Sequence, residues 1–221
     1  MLRSVYRKLP ASNRKVLNRT ADFLLVAAAM LVMPVRLAGY YLDRNRPTRL
    51  HVGCGRVKLQ GWINADLDPR AQLVINIKHR LPFPENNLDR IFSEHVLEHV
   101  PVESGLVFLK EAHRTLKPGG VVRIAMPDLD DIVDGYTHDW RRFDWIHWPG
   151  HEFIETKAEM INIAFRWWGH QYLYNREELE RRLREAGFST ITFCDHGNSD
   201  HQDLRNLETR ADSRLVVEAT K

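Results

Sequence analysis

A chain of 221 residues that is 43% hydrophobic and 28% charged carries enough apolar side chains for one sizeable domain plus an appendage, which excludes a disordered polypeptide. A net charge of +3 gives no nucleic-acid signal. Cys54 and Cys194, the two cysteines, lack metal-ligand spacing and make no disulfide framework, so a reducing, cytoplasmic compartment is expected.

Residues 1–47 differ in composition from the rest. Arg3, Arg7, Lys8, Arg14, Lys15 and Arg19 precede an apolar run from Phe23 to Val35, interrupted by Arg36. That run is about thirteen residues long, short of the roughly 20 that a bilayer span needs. Two readings stay open for 21–42. In the favoured one, a helix lies at the inner face of the cytoplasmic membrane with its basic flank on anionic headgroups. In the other, the helix buries its apolar face on the following domain or on a second subunit.

After a polar joint at Arg44–Pro47, the sequence predicts strands over Thr48–Val52, Trp62–Asp66, Leu73–Ile77 and Leu88–Ser93. Two prolines in Leu81-Pro82-Phe83-Pro84 fix a loop. A helix is expected from Val102 to Leu116, with Leu106, Leu109, Ala112 and Leu116 on one face and Lys117-Pro118-Gly119-Gly120 as its stop. A fifth strand, Val121–Met126, ends at Pro127-Asp128. Residues 129–172 hold five of the six tryptophans and read either as a substrate wall or as aromatic packing, including a homo-oligomer contact. Asn175–Ala186 is a capped helix with Gly187 beyond it. Thr190–Phe193 and Leu215–Ala219 are the last strands, joined by a polar, mobile connection over Asp195–Asp212. Strands alternating with helices imply a mostly parallel, doubly wound α/β sheet.

The chemistry concentrates in Leu50–Pro69. Gly53-Cys54-Gly55 ends the first strand with a backbone on which a ligand can lie. Asp66 ends the second, where a carboxylate can accept hydrogen bonds from both ribose hydroxyls. Lys58 stands where a dinucleotide fingerprint has its third glycine. About seven residues separate Gly55 from the next strand, too few for the 10–12 of a full crossover helix. With no helix N-terminus for a pyrophosphate, an adenosyl ligand without phosphates fits better, and S-adenosylmethionine is one. Cys54 is read as a small residue beside that ligand, with a reactive thiol as the lesser alternative.

Gly53-Cys54-Gly55, Gly61-Trp62-Ile63-Asn64-Ala65-Asp66, Leu81-Pro82-Phe83-Pro84 and Ser93-Glu94-His95-Val96-Leu97-Glu98-His99, in that order, resemble the class I S-adenosylmethionine-dependent methyltransferases. Within them the resemblance is to a small bacterial branch associated with surface-polysaccharide and glycolipid biosynthesis. It spans 48–221 and is tightest over 50–128. It implies a Rossmann-like seven-stranded sheet behind the N-terminal helical appendage. The branch also implies O-methylation of a glycan or glycolipid intermediate; a non-catalytic, membrane-tethered scaffold of the same fold is the alternative. By the family pattern Asn76 contacts adenine, a place more often held by Asp, and Ser93, Glu94 and His95 line the cofactor pocket.

His95, first after the fourth strand, is the best-placed general base. Asp128 ends the fifth strand and either orients the acceptor hydroxyl or caps the next helix. His151 and His170 are secondary candidates. In a helix, His95 and His99 would share a face at a spacing that also suits a metal, but Pro101 cuts the segment short. Asp128, Asp130 and Asp131 read as helix-start acids before they read as cation ligands. No metal is assigned.

Overall fold

The computed structural model describes residues 31–221. The basic segment at 3–19 and most of the apolar run lie outside the described residues. Seven strands form one sheet: β1 (Arg49–Val52), β2 (Ile63–Asp66), β3 (Leu73–Val74), β4 (Leu88–Glu94), β5 (Leu116–Met126), β6 (Thr190–Cys194) and β7 (Leu215–Thr220). Their order is β3-β2-β1-β4-β5-β7-β6. The first five are parallel, and β7 is antiparallel to both its neighbours. The predicted α/β, mostly parallel, seven-stranded architecture is the one observed.

Alternation along the strands gives each face its own cover. Leu50, Val52, Ile91, Val122, Ile124, Val217 and Ala219 belong to the main core. Onto that face pack helix α1 (described from residue 31, ending at 42), α2 (Val102–Thr115) and α5 (Arg176–Glu185), through Tyr40, Phe108, Leu109, Ala112, Leu179 and Leu183. The opposite face carries Phe92 and Val121, covered by Trp62 and Leu204. Asn175 caps α5 by accepting a bond from the Glu178 amide, as expected.

Two expectations need correction. The fifth strand begins at Leu116, directly after α2, because Leu116 is fully buried and pairs with Leu88. Gly119 and Gly120 are then held by bonds to the Lys221 backbone. The connection between β6 and β7 is also anchored, where composition suggested a mobile loop. Arg123 on β5 has no solvent exposure and donates to Glu208 (2.5 Å), Glu218 (2.6 Å) and the Asn198 carbonyl (2.9 Å). Burying that guanidinium is tolerable only because the carboxylates come with it.

The described part of the N-terminal segment is helix through residue 42. Its inner face docks: Arg36 donates to the Ala71 carbonyl (3.1 Å), Tyr41 to the Pro82 carbonyl (3.0 Å), and Met33 and Leu37 pack on the core. Its outer face exposes Leu31, Val35 and Leu42. No helix among the described residues is long and apolar enough to cross a membrane.

Candidate active site

The strand order turns back at β1, whose neighbours β2 and β4 continue to opposite sides, and ligands of such sheets bind at carboxyl ends beside that point. The ends of β1 and β2, with the Gly53–Gly55 turn and Asp66, lie there. Gly55 donates its amide to Asp66 Oδ2 at 2.8 Å, so the bare turn and the carboxylate face each other. The second oxygen, Oδ1, accepts from the Asp68 amide at 2.9 Å. Each oxygen keeps a lone pair for a ribose hydroxyl. A Cβ on Gly55 would meet nothing within 4 Å, which leaves open ground above the turn. Gly53 is small for another reason: a Cβ there would stand 2.0 Å from Val96 Cγ2.

The other predicted residues divide by what holds them. Cys54 is buried; burial pushes its thiol up, with Lys58 opposing, which makes it a poor nucleophile. Ser93 is buried, and its hydroxyl has no hydrogen-bond partner among the described residues. Asn76 accepts from the Lys78 amide through Oδ1 and shapes the turn after β3. Glu94 is fully engaged: its carboxylate accepts from the Thr209 amide and hydroxyl, the Arg210 amide and the Ser213 hydroxyl. Burial pushes that carboxyl up, and these donors outweigh it, holding the group below its ordinary value.

A cavity of about 820 Å³ opens at the carboxyl end of β5. Its walls are Asp128, the aromatic faces of Phe143, Trp145 and Trp168, and the Arg210–Asp212 turn. The aromatic segment lines this cavity and also packs on itself. Helices α3 (Leu129–Thr137) and α4 (Lys157–Arg166) build a second apolar core with Trp145, Ile154, Met160 and Ile163. Asp128 takes the capping role, accepting the Asp130 amide as the N-cap of α3, and it also lines the cavity. Burial raises its carboxyl, the Asp130 amide opposes, and the neighbouring acids add to the rise.

Behind this wall stands His95, in a left-handed backbone conformation (φ 50°) that a residue with a Cβ seldom adopts. Its Nδ1 lies 3.2 Å from Glu98 Oε1, and its Nε2 lies 3.7 Å from Asp212, which separates it from the cavity. Glu98 is completely buried, and neither oxygen has a properly formed hydrogen bond among the described residues. The Glu98 carbonyl accepts from the amides of Gln171 (2.7 Å) and Tyr172 (3.3 Å), and Gln171 Nε2 donates to the His99 carbonyl. This stitching sets the His99 and His170 rings 4.9 Å apart. His151 instead binds the Trp145 carbonyl within the aromatic segment. Asp212 escaped sequence reasoning because it lies in the long connection, with no motif around it.

A family profile described as "Methyltransferase domain" matches residues 36–192. The chain belongs to that family, the S-adenosylmethionine-dependent methyltransferases. Among curated proteins, this methyltransferase is 33% identical over 117 residues to the demethylmenaquinone methyltransferase of Staphylococcus aureus. That match takes in 50% of the present chain and 44% of the relative, so the chain spans less than half of that protein's length. Two solved structures align along most of the methyltransferase at 16% identity. One is a SAM-dependent methyltransferase from Archaeoglobus fulgidus (TM-score 0.49, covering 87% of this chain and 94% of that one). The other, from Thermotoga maritima, is described as a possible histamine N-methyltransferase (TM-score 0.47, covering 94% and 97%). S-adenosylmethionine is the cofactor of this family, and the open Gly55 turn, the Asp66 carboxylate and the unpartnered Ser93 hydroxyl fit its adenosyl group.

Proposed function

We propose that the methyltransferase transfers a methyl group to an oxygen of a glycan or glycolipid intermediate at the cytoplasmic face of a membrane. One observation carries the acceptor reading: a cavity about 820 Å³ in volume whose walls combine indole faces with convergent carboxylates and guanidiniums. Sugars are gripped by such aromatic planes and a few placed polar groups.

S-adenosylmethionine, when bound, supplies a methyl already activated as a sulfonium. The chain's residues have three tasks: alignment, exclusion of water and removal of the hydroxyl proton. Gly53, Cys54, Gly55, Asp66, Asn76 and Ser93 form the cofactor side, with Glu94 holding the 209–213 turn over it. Asp128 orients the acceptor hydroxyl by accepting a hydrogen bond from it. His95, its Nδ1 facing Glu98, takes the proton at Nε2 by way of the Asp212 carboxylate that stands between it and the cavity. A second reading comes from the curated relative, which acts on demethylmenaquinone: the same aromatic walls suit a quinone ring. The exposed face of α1 supports peripheral attachment to lipid.

The test is transfer of a labelled methyl from S-adenosylmethionine into lipid and glycolipid extracts of the parent cell. Label in a glycolipid fraction that resists mild base is the expected result. Label confined to the quinone fraction selects the second reading. Asp66→Ala should weaken cofactor binding at least tenfold, read by calorimetry; wild-type affinity in that variant would overturn the cradle.

A further inference from the structure

We propose that Glu98, His99 and His170 bind a divalent first-row transition-metal ion beside the acceptor cavity. One ligand atom from each of the three lies within 4.8 Å of the others. Ligands about 2.1 Å from a shared ion stand at most about 4.2 Å apart, so closing on a metal needs shifts of under about one ångström. Two imidazoles with one carboxylate select zinc, manganese or cobalt over magnesium or calcium, which prefer all-oxygen sites.

Three independent features point to an ion. Glu98 is a fully buried carboxylate, and both its oxygens lack a well-formed hydrogen bond among the described residues. A charge in that state is expensive unless it is paired or bound to a cation. Second, one imidazole is already oriented toward the carboxylate's cluster and the other faces it. His170 Nδ1 stands 2.7 Å from the Ala164 carbonyl, which can only accept, so its Nε2 carries the free lone pair. Metal-bound histidines are characteristically fixed by such a bond from the other ring nitrogen. His99 Nε2 stands 3.8 Å from Glu98 Oε1. Third, the backbone beside the cluster is strained at two residues that carry a Cβ: His95 and Trp168 adopt φ of 50° and 57°. Strain of this kind persists where a site over-determines the chain.

His170 also lines the acceptor cavity. A three-ligand ion there keeps a coordination position for an acceptor oxygen. His95 stays outside the first shell, with Nδ1 toward Glu98 Oε1, as a positioning partner of the carboxylate. The competing account is a simple buried His95–Glu98 ion pair without metal.

The proposal concerns metal binding and stands apart from the acceptor reading. Full-length protein, stripped with chelator and dialysed, is titrated with Zn²⁺ by calorimetry and with Co²⁺ by visible absorption. One equivalent per chain, with a Co²⁺ ligand-field band, is expected. His99→Ala and His170→Ala, both at partly exposed positions and checked for folding by circular dichroism, should each weaken Zn²⁺ binding at least tenfold. Wild-type protein without a stoichiometric Co²⁺ band overturns the proposal and leaves the ion pair, whatever the variants do. So does wild-type Zn²⁺ affinity in either folded variant. Cofactor binding to the stripped wild-type protein is measured alongside, so failure of the metal proposal is distinguishable from failure of the methyltransferase site.

Discussion

Gly53 and Gly55 look equivalent in sequence, yet they are small for different reasons. An alanine at 53 drives its Cβ into Val96 and must hold φ at 71°; overpacking and left-handed strain together cost about 2–4 kcal/mol. At 55 the backbone is also left-handed, at 48°, but the space is empty, so alanine costs about 1 kcal/mol. Gly53→Ala should therefore lower stability in urea, while Gly55→Ala should mainly weaken cofactor binding. Equal losses of stability would refute the distinction. The turn and Asp66 were legible in sequence because each ends a short strand and the geometry is local. His170 and Asp212 were not, since they reach the site through backbone stitching and through the anchored connection, neither of which leaves a spacing to read.

At the scale of elements, the β6–β7 connection is held over 208–213 by Glu94 and the buried Arg123–Glu208 pair, and near its start by the bond from Arg123 to the Asn198 carbonyl. Glu94 sits below its ordinary value of 4.5 in the folded chain. Its contribution to stability is therefore present above that value and lost as pH falls through the folded pKa. Glu94→Gln should cost about 2 kcal/mol near neutral pH, as expected for bonds to a charged group. The difference from wild type should shrink as pH drops below 4.5. Urea titrations across pH check this, and amide exchange at 209–213 should quicken in the variant; a gap that ignores pH would refute it. Most strands and α5 were readable from apolar runs and a capping residue. The anchoring of 195–212 was hidden because a polar loop and a loop with buried ion pairs have the same composition. The start of β5 was hidden because Lys117-Pro118-Gly119-Gly120 looks like a stop and acts as strand.

For the molecule as a whole, the described end of the N-terminal segment, α1, has one docked and one exposed face. Its inner face docks on the sheet's helical layer, while Leu31, Val35 and Leu42 stay 82%, 73% and 82% exposed. Replacing these three with Asp should leave the fold intact, because none packs on the core, and should reduce sedimentation with anionic vesicles at least tenfold. Unchanged sedimentation would rule out this face as the lipid contact. The aromatic segment has a wider consequence. It carries its own apolar centre and joins the sheet at its ends, through the Asp128–Tyr174 bridge and the bonds from residues 171 and 172 to Glu98. On the proposed function, selection can therefore remodel the canopy for a new acceptor while the turn and carboxylate beneath stay the same, making specificity and donor chemistry separately heritable traits.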